Sequence, residues 1–420
     1  MLDIKWVREH QDEVKESLRR RGVDFDVALL LSADEKRRVA IKEGDDLRAR
    51  HHVFSEEIAK ASGGDREQKI GASREMKKQI ATVEEAAKQA DEECVALMQK
   101  LPNMTEPEAP DGTDEKDNRV LHEVGEKPQF DFEPRDHLVI ATALDIIDFE
   151  RGAKVAGSGF YYLKNEGVLL ELALARFAID FLREKGFTLM TTPDLARRQF
   201  SLGTGYLPRG PEAQTYEIAG SDLGLIATAE VTLAAFHAGE ILSASQLPLR
   251  YAGLSHCFRR EDGAYGKYSK GLYRVHQFTK VEMFAFTTAE ISKKTHEEFL
   301  GLEEELWQKL DIPYRVVDMC AGDLGAQAVR KFDLEAWMPG RGDWGEVTST
   351  SNTTDYQARN LNIRCRAADG SMSAAHTVNG TAVATSRAIV AILENGQQAD
   401  GSVRIPDVLQ PSMGGIRFIK

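Results

Sequence analysis

Cysteine is scarce in this 420-residue chain: Cys94, Cys257, Cys320 and Cys365 are scattered, with no C-x-x-C and no Cys/His pair at metal-ligand spacing. Neither a zinc site nor a disulfide framework is expected, and four idle thiols in a reducing compartment are. No apolar run approaches the ~18 residues of a membrane span. The opening MLDIKWVREH has no apolar signal core and no Arg/Ser-rich presequence, so a cytoplasmic location is the expectation. A basic excess is lacking too: 54 Lys and Arg face 67 Asp and Glu, a net charge of −13. At first sight that argues against a nucleic-acid partner, because phosphate contacts need Lys and Arg. What is present suits a folded chain of more than one ordinary domain: 42% of the residues are hydrophobic, enough for a sizeable core and too many for wholesale disorder.

The first hundred residues contain one proline-free helical pattern after another. A short helix is expected around residues 3–20, with Ile4, Val7 and Val14 on one side. Ser32 and Asp34 then offer an N-cap and an acidic first turn. From there Ala40, Gly44, Leu47, His51, Phe54, Ile58 and Ala61 recur at alternating spacings of four and three. Gly63-Gly64 breaks the run. Met76, Ile80, Val83, Ala87, Ala90, Cys94, Leu97 and Leu101 then repeat the same spacing. Two heptad seams around a Gly-Gly turn predict an antiparallel helical hairpin over about residues 32–101. The first seam is poor, since Gly44 and His51 sit in it; His51 suits a half-exposed seam position better than a metal. A two-helix arm has almost no core of its own, and dimerisation or spacing is the plain explanation for one. The tip adds a further clue. Lys60, Arg66, Lys69, Arg74, Lys77 and Lys78 face only Asp65, Glu67 and Glu75 there, a net of +3, which suits contact with phosphates.

Counting by region resolves the charge. Residues 1–100 carry 20 basic and 22 acidic groups, and residues 101–150 carry 4 and 14. The remainder therefore holds 30 and 31, and −10 of the −13 lies in one fifty-residue block. That block opens LPNMTEPEAPDGTDEKDN, whose prolines and acidic residues suggest a linker rather than a packed element. The expected domains are a helical arm over residues 1–104, an acidic linker over 105–135 and an α+β domain over 136–420.

In that last region residues 168–185 read as a helix stopped at Gly186, followed by a strand that Pro193 ends. Residues 249–260 and 272–286 read as two strands of a hairpin around a Gly/Lys-rich loop. Period-two alternation puts Arg274, His276, Phe278, Lys280 and Glu282 on one face of the outgoing strand. Four ionisable groups around one aromatic ring suit a solvated face or a site. Arg259 and Glu261 share a face of the incoming strand. Further on, a strand reaches Asn379-Gly380-Thr381-Ala382 and a helix follows, in which Arg387 has Val383, Ala384, Val390 and Ala391 one turn away on either side. An always-ionised guanidinium among apolar neighbours needs an anion, either a protein carboxylate or a bound phosphate.

These segments resemble the class II aminoacyl-tRNA synthetases, and specifically the seryl-tRNA synthetase family. Phe258-Arg259-Arg260-Glu261, the loop, and G-L-Y-R-V-H-Q-F over 271–278 with Lys280-Val281-Glu282 resemble motif 2. Thr228-Ala229-Glu230 resembles the family's serine loop. Glu346-Val347-Thr348-Ser349 with Ser351-Asn352 and Asp355-Tyr356-Gln357-Ala358-Arg359 resembles the penultimate active-site strand. The segment from His376 through Thr381, with Arg387 and Ile392-Leu393-Glu394-Asn395, resembles motif 3. Residues 186–193 resemble motif 1, at the homodimer interface, and the arm is similar to the tRNA-binding N-terminal domain. The likeness covers essentially the whole chain.

The resemblance implies a fold: a coiled-coil arm followed by a catalytic domain with a mixed, mainly antiparallel sheet flanked by helices. It also implies an activity, in which serine attacks ATP to give seryl-adenylate and pyrophosphate, and serine then passes to the 3′ end of tRNA(Ser), and of tRNA(Sec) where one exists. By the same resemblance Arg259 contacts the α-phosphate and the serine carboxylate, and Arg387 the γ-phosphate. Phe278 stacks on adenine, with Glu261 and the Val275 backbone at its edge; Arg260, Val347 and Thr348 complete the ATP site. Glu346 and Ser349 sit near Mg²⁺, which prefers carboxylate and phosphate oxygens. Glu282 takes the serine hydroxyl, Thr228, Ala229 and Glu230 the amino group, and Asn379 and Thr381 complete the pocket. A site that hydrogen-bonds a substrate hydroxyl rejects an analogue without it by ~10⁴-fold.

The chain departs from the family pattern at Gly159 (usually Arg), Thr350 (usually Cys), Asn360 (usually Arg) and Ser269-Lys270 (usually Thr-Arg). The alternatives to a serine ligase are a paralogue that loads an amino acid onto a carrier protein, and a non-catalytic RNA-binding or structural paralogue. The first kind lacks the arm, and the second is expected to lose the motif arginines.

Overall fold

The computed structural model describes residues 1–206, 215–261 and 271–420. Two compact units result, Leu2–Pro102 and Asn103–Lys420 with Met1.

The first unit begins with two short helices, Ile4–Glu9 and Gln11–Arg20, where one was expected. The break is at His10, whose ring stacks on Trp6 at 4.5 Å and bonds its carbonyl. Helix α1 then runs Val27–Lys60 and helix α2 Gly63–Lys100. The start of α1 differs from the expected cap at Ser32. Asp26 is the N-cap, accepting from the backbone N–H groups of Ala28 and Leu29. Asp34 is fully buried instead and gathers Arg8, Arg37 and Arg38 at 3.1–3.4 Å. A buried carboxylate with three guanidinium partners is well compensated, and loss of the partners would leave it costly. The helices pair along both expected seams, where every seam residue is buried or half-buried. His51 fills its seam position by bonding Ser73 across the pair at 3.0 Å. Arg37–Asp91 and Arg48–Glu84 flank the seam. Between the helices the chain turns at Ala61 and Ser62, and Gly63 adopts φ +61°. At the tip Lys60, Arg66, Arg74, Lys77 and Lys78 are exposed. Lys69 is half-buried, near Glu57 and Asp65.

The second unit is built on an eight-stranded sheet. In chain order its strands are β1 (Arg119–Val124), β2 (Thr188–Thr191), β3 (Leu249–Phe258), β4 (Gln277–Thr287), β5 (Tyr314–Asp318), β6 (Arg330–Met338), β7 (Asp343–Thr354) and β8 (His376–Ala384). The order across the sheet is β1-β5-β6-β7-β8-β4-β3-β2, antiparallel throughout except for β2 against β3. The helices that matter to the site are α3 (His137–Ala143), α4 (Glu166–Glu184), α5 (Glu230–Ala235), α6 (Ala289–Lys309) and α7 (Thr385–Gly396). Trp307, Phe299, Tyr314, Phe284 and Phe286 are fully buried around the sheet. At roughly 25 cal/mol per Å² of apolar area removed from water, such rings dominate the stabilisation of the unit.

Two expectations about this unit need correction. Residues 105–135 were expected to be a linker, yet residues 119–124 form the edge strand β1, paired with β5. Backbone hydrogen bonds hold an edge strand, so its side chains can stay exposed, as most here do. Arg119 also reaches the buried Asp318 of β5 at 2.6 Å. The outgoing strand of the hairpin begins at Gln277 rather than at residue 272, because Gly271–Tyr273 forms a 3-10 turn. The loop between the hairpin strands, residues 262–270 with Ser269 and Lys270, lies outside the described residues. All four cysteines are buried and free.

Gly44 gives one test of the arm. A β-carbon there would lie 3.7 Å from Val83, an ordinary contact. Gly44→Ala should stabilise the hairpin by about 1 kcal/mol through helix propensity. Amide hydrogen exchange along α1 should slow about fivefold. Unchanged or faster exchange would contradict the seam geometry.

Candidate active site

The hairpin β3–β4 and its neighbours β8 and β7 present a row of polar side chains to one cavity of about 390 Å³. The backbone pairing of β3 with β4 continues one step past Phe258, since Arg259 N–H donates to the His276 carbonyl at 3.0 Å. This fixes the Arg259 guanidinium 5.3 Å from the centre of the Phe278 ring, with its Nε donating to the Ala227 carbonyl. Glu261 lines the cavity beside Arg274 at 3.3 Å. Along β4 the expected alternation holds from Phe278 onward: Phe278, Lys280 and Glu282 all face the cavity. Arg274 reaches it from the preceding turn. His276 does not: its ring packs on Phe160 at 5.1 Å.

One end of the cavity is lined by carboxylates and amides. Glu230, at the first turn of α5, accepts from Tyr206 Oη at 2.6 Å, Gln357 Nε2 at 2.7 Å and Asn379 Nδ2 at 3.1 Å. Burial still raises its pKa, against the pull of the Tyr206 and Gln357 hydrogen bonds. Glu282 is 1% exposed and pairs with Lys280. Burial pushes Glu282 up to about 7; Lys280 opposes this and the nearby Glu230 charge adds to it. Thr381, from β8, stands directly across from Glu282.

The other end is cationic and aromatic. Arg387 enters from the first turn of α7. Its Nη1 meets Glu346 Oε1 at 2.9 Å and the Glu346 carbonyl at 3.2 Å, and its guanidinium lies 4.9 Å from the Tyr273 ring centre. The partner left open by the sequence is thus a carboxylate, Glu346 of β7. Burial pushes Glu346 up, but Arg387, Lys331 and Arg259 together bring it down to about 2. Val347, Thr348 and Ser349 continue this wall. The Thr348 hydroxyl is turned away, donating to Glu303 of α6 at 2.8 Å. Ser349 stands directly across from Asp333 of β6, which also holds Lys331.

Of the expected site residues, Glu230, Arg259, Glu261, Val275, Phe278, Glu282, Glu346, Val347, Thr348, Ser349, Asn379, Thr381 and Arg387 line this one cavity. Three do not. Ala229 is buried beneath it. Thr228 is buried too, its hydroxyl accepting from Glu230 N–H at 3.2 Å, so this side chain holds the start of α5. Arg260 is exposed outside the cavity. Sequence reasoning missed Tyr206, Tyr273 and Lys331 as wall residues and Gln357 as the support of Glu230. Gln357 stood inside a quoted motif without a role. Three departures find local reasons in the structure. Thr350 donates to the Asn379 carbonyl at 2.8 Å, and a β-carbon at Gly159 would lie 2.4 Å from the His276 ring. Asn360 donates to the Gly203 carbonyl at 2.8 Å.

A cavity with carboxylates at one end, guanidinium groups at the other and Arg259 between them suits a small zwitterion beside a polyanion. Two family models match the chain. The seryl-tRNA synthetase N-terminal domain covers residues 1–105, and the class II core domain of the G, H, P, S and T synthetases covers residues 215–396. The serine–tRNA ligase of Rubrobacter xylanophilus is 54% identical over 99% of this chain and 98% of its own length. The chain belongs to the seryl-tRNA synthetase family. The serine–tRNA ligase of Dictyoglomus turgidum is 53% identical over the same shares of the two chains. Among solved structures, the seryl-tRNA synthetase from Pyrococcus horikoshii complexed with ATP matches with a TM-score of 0.90 at 43% identity, covering 100% of this chain and 99% of that one. The cytoplasmic serine–tRNA ligase of Naegleria fowleri in complex with AMP matches at 0.85 and 34%, with the same coverage.

For a seryl-tRNA synthetase the raised pKa of Glu282 has a direct consequence. Its folded pKa lies above the ordinary carboxylate value, so the carboxyl is protonated below pH about 7 and ionised above it. The ionised carboxylate offers both oxygens as acceptors, to Lys280 and to a further hydroxyl, whereas protonation turns one of them into a donor. The KM for serine should therefore rise as pH falls below about 7, by up to about tenfold per unit. Glu282→Gln should bind serine weakly with no such slope. A wild-type KM that is flat from pH 6 to 8 would refute this.

Proposed function

We propose that this cavity is where serine and ATP meet, with serine at the carboxylate end and the triphosphate at the Arg387 end. The chain is a serine–tRNA ligase. It joins serine to the α-phosphate of ATP, releases pyrophosphate, and passes the seryl group to the 3′-terminal adenosine of tRNA(Ser), and of tRNA(Sec) where one exists. Arg259 carries the reading, because its guanidinium lies against the Phe278 ring and its charge acts on Glu230 and Glu282 at one end and on Glu346 at the other. Both reactants are anionic where they react, so charge neutralisation and alignment are the main requirements.

Arg259 would hold the serine carboxylate against the α-phosphate. Phe278, with Arg259 over its face, would stack on adenine, and Glu261 with the Val275 backbone would contact the adenine edge. Arg387 would exchange part of its Glu346 contact for the terminal phosphate. Glu230, with its three hydrogen bonds already made, would accept the serine ammonium. Glu282 would accept its hydroxyl. Asn379 orients Glu230, and Thr381 narrows the pocket opposite Glu282.

The residues present fit Mg²⁺. Glu346 stays ionised, its side chain is 39% exposed, and Ser349 adds a neutral oxygen beside Asp333. When bound, the ion would neutralise phosphate charge; Glu346 and Ser349 would hold it.

Two further readings rest on surfaces. The exposed basic tip of the arm supports contact with the tRNA backbone through Lys60, Arg66, Lys69, Arg74, Lys77 and Lys78. A homodimer through residues 186–193 is supported by β2, an edge strand of the sheet, and by Val168, Leu169, Leu172 and Leu189. These four apolar side chains are 38–61% exposed on α4 and β2. The carrier-protein and non-catalytic alternatives are not favoured, since the arm and both motif arginines are present.

Arg259→Ala or Glu282→Ala should reduce serine-dependent ATP–pyrophosphate exchange by about 10³-fold or more. Near-normal exchange in either variant would refute the assignment. Deleting residues 36–98 should leave exchange intact and cripple charging of tRNA. Full charging by the deleted chain would remove the arm from tRNA recognition.

A further inference from the structure

Behind the cationic end of the cavity, α3, α7 and the Gly271–Tyr273 turn meet at two buried residues that do not line the cavity. His137 opens α3 and Glu394 lies on α7 two turns beyond Arg387; they are 7% and 2% exposed. Glu394 Oε1 accepts from His137 Nδ1 at 3.0 Å and from His137 N–H at 3.1 Å. Its Oε2 accepts from Gly340 N–H at 3.0 Å. With Nδ1 donating to a carboxylate, the neutral ring offers Nε2 as an acceptor. Leu272 N–H donates to it at 3.3 Å. The fit is close: a β-carbon on Gly271, which has φ +65°, would lie 2.2 Å from Nε2. A side chain at 271 and the imidazole therefore cannot coexist.

The next residue in that turn is Tyr273. Its ring lies 4.9 Å from the Arg387 guanidinium and 5.2 Å from that of Arg341, and its hydroxyl donates to the Glu346 carbonyl at 3.2 Å. Arg387 Nη1 donates to the same carbonyl. Tyr273 thus forms one wall of the Arg387 pocket, and its turn is fixed one residue earlier by the imidazole.

We infer that His137, backed by Glu394, is a positioning residue for the triphosphate end of the site. It anchors the Gly271–Tyr273 turn through the Leu272 amide, so that Tyr273 holds Arg387 and the Glu346 carbonyl in the geometry that receives phosphate. The serine end has no part in this chain of contacts. The inference rests on the proposed reading that Arg387 takes the triphosphate.

The test is ATP–pyrophosphate exchange with the full-length chain, varying ATP and serine separately. His137→Asn keeps a donor for Glu394 but has no acceptor that reaches the Leu272 amide. His137→Gln places an amide oxygen near the position of Nε2 and restores that acceptor. His137→Asn should raise the KM for ATP about tenfold, the effect of about one lost hydrogen bond. Its KM for serine should stay within about twofold of wild type, and His137→Gln should recover most of the loss. The inference is overturned if the KM for ATP is unchanged in His137→Asn. It is also overturned if both KM values rise together with a lowered melting temperature that His137→Gln does not correct. A wild-type chain without serine-dependent exchange would overturn the reading of the cavity, and the inference with it; normal wild-type exchange with indifferent variants would overturn the inference alone.

Discussion

A guanidinium that cannot lose its proton, set in the first turn of a helix packed into the core, needs an anion at all times. Arg387 has one in Glu346. Much of the cavity's arrangement follows from that pair. Desolvating a charge costs several kcal/mol unless a partner offsets it, so the half-buried Arg387 is compensated only while β7 holds its carboxylate in reach. Glu346 in turn is kept ionised by Arg387, Lys331 and Arg259 against its partial desolvation. On the proposed reading, a phosphate entering this end would meet no bare cation and would replace one oxygen anion by another. Such an exchange would keep the site folded when empty and charge-matched when full.

At the opposite end, two carboxylates only one sheet layer apart are treated differently. Glu230 has three side-chain donors that share no charge with it. Glu282 has a single ammonium partner and sits near neutral titration. A group whose acceptors are already engaged suits a fixed ionic contact. A group with unused capacity suits a hydroxyl that must be recognised by a hydrogen bond and by little else. The buried Glu282 carboxylate meets the Lys280 ammonium and keeps acceptor capacity of the kind that a substrate hydroxyl would satisfy.

What the sequence discloses depends on the length scale of the interaction. The arm was legible because a heptad seam is written in consecutive residues, and so was the face Phe278-Lys280-Glu282, because strand alternation is equally local. The start of α1 was not, since a buried Asp34 gathering three arginines has the same one-letter signature as a helix cap. The strand at residues 119–124 was hidden for another reason: an edge strand is held by backbone groups, and its acidic neighbourhood reports only solvent. Arg274 and His276 were placed on a strand that begins later, because alternation does not reveal the turn at Gly271–Tyr273. Tyr206, Gln357 and Lys331 reach the site from segments far apart in the chain, and no spacing rule links them. Family resemblance brought together most of the cavity wall from quoted motifs, but it also carried over Thr228 and Arg260, which do not line the cavity.

The same register that makes the site also limits how it can change. Glu282 is flanked across the sheet by Thr381 on β8 and Gly253 on β3. On the β3 side the missing side chain is what lets α5 approach: a β-carbon at Gly253 would lie 2.8 Å from Leu233 and 3.3 Å from Ala229. Glu230 reaches the cavity because α5 lies that close to the strand. A one-residue slip of β4 would turn Val281 and Met283 into the cavity and drive Lys280 and Glu282 into an apolar layer. The buried Val281, Met283 and Ala285, on the opposite face of the strand, therefore fix the chemistry of the site although they touch none of it. The apolar side of the strand selects the register, and the register decides which charged groups meet.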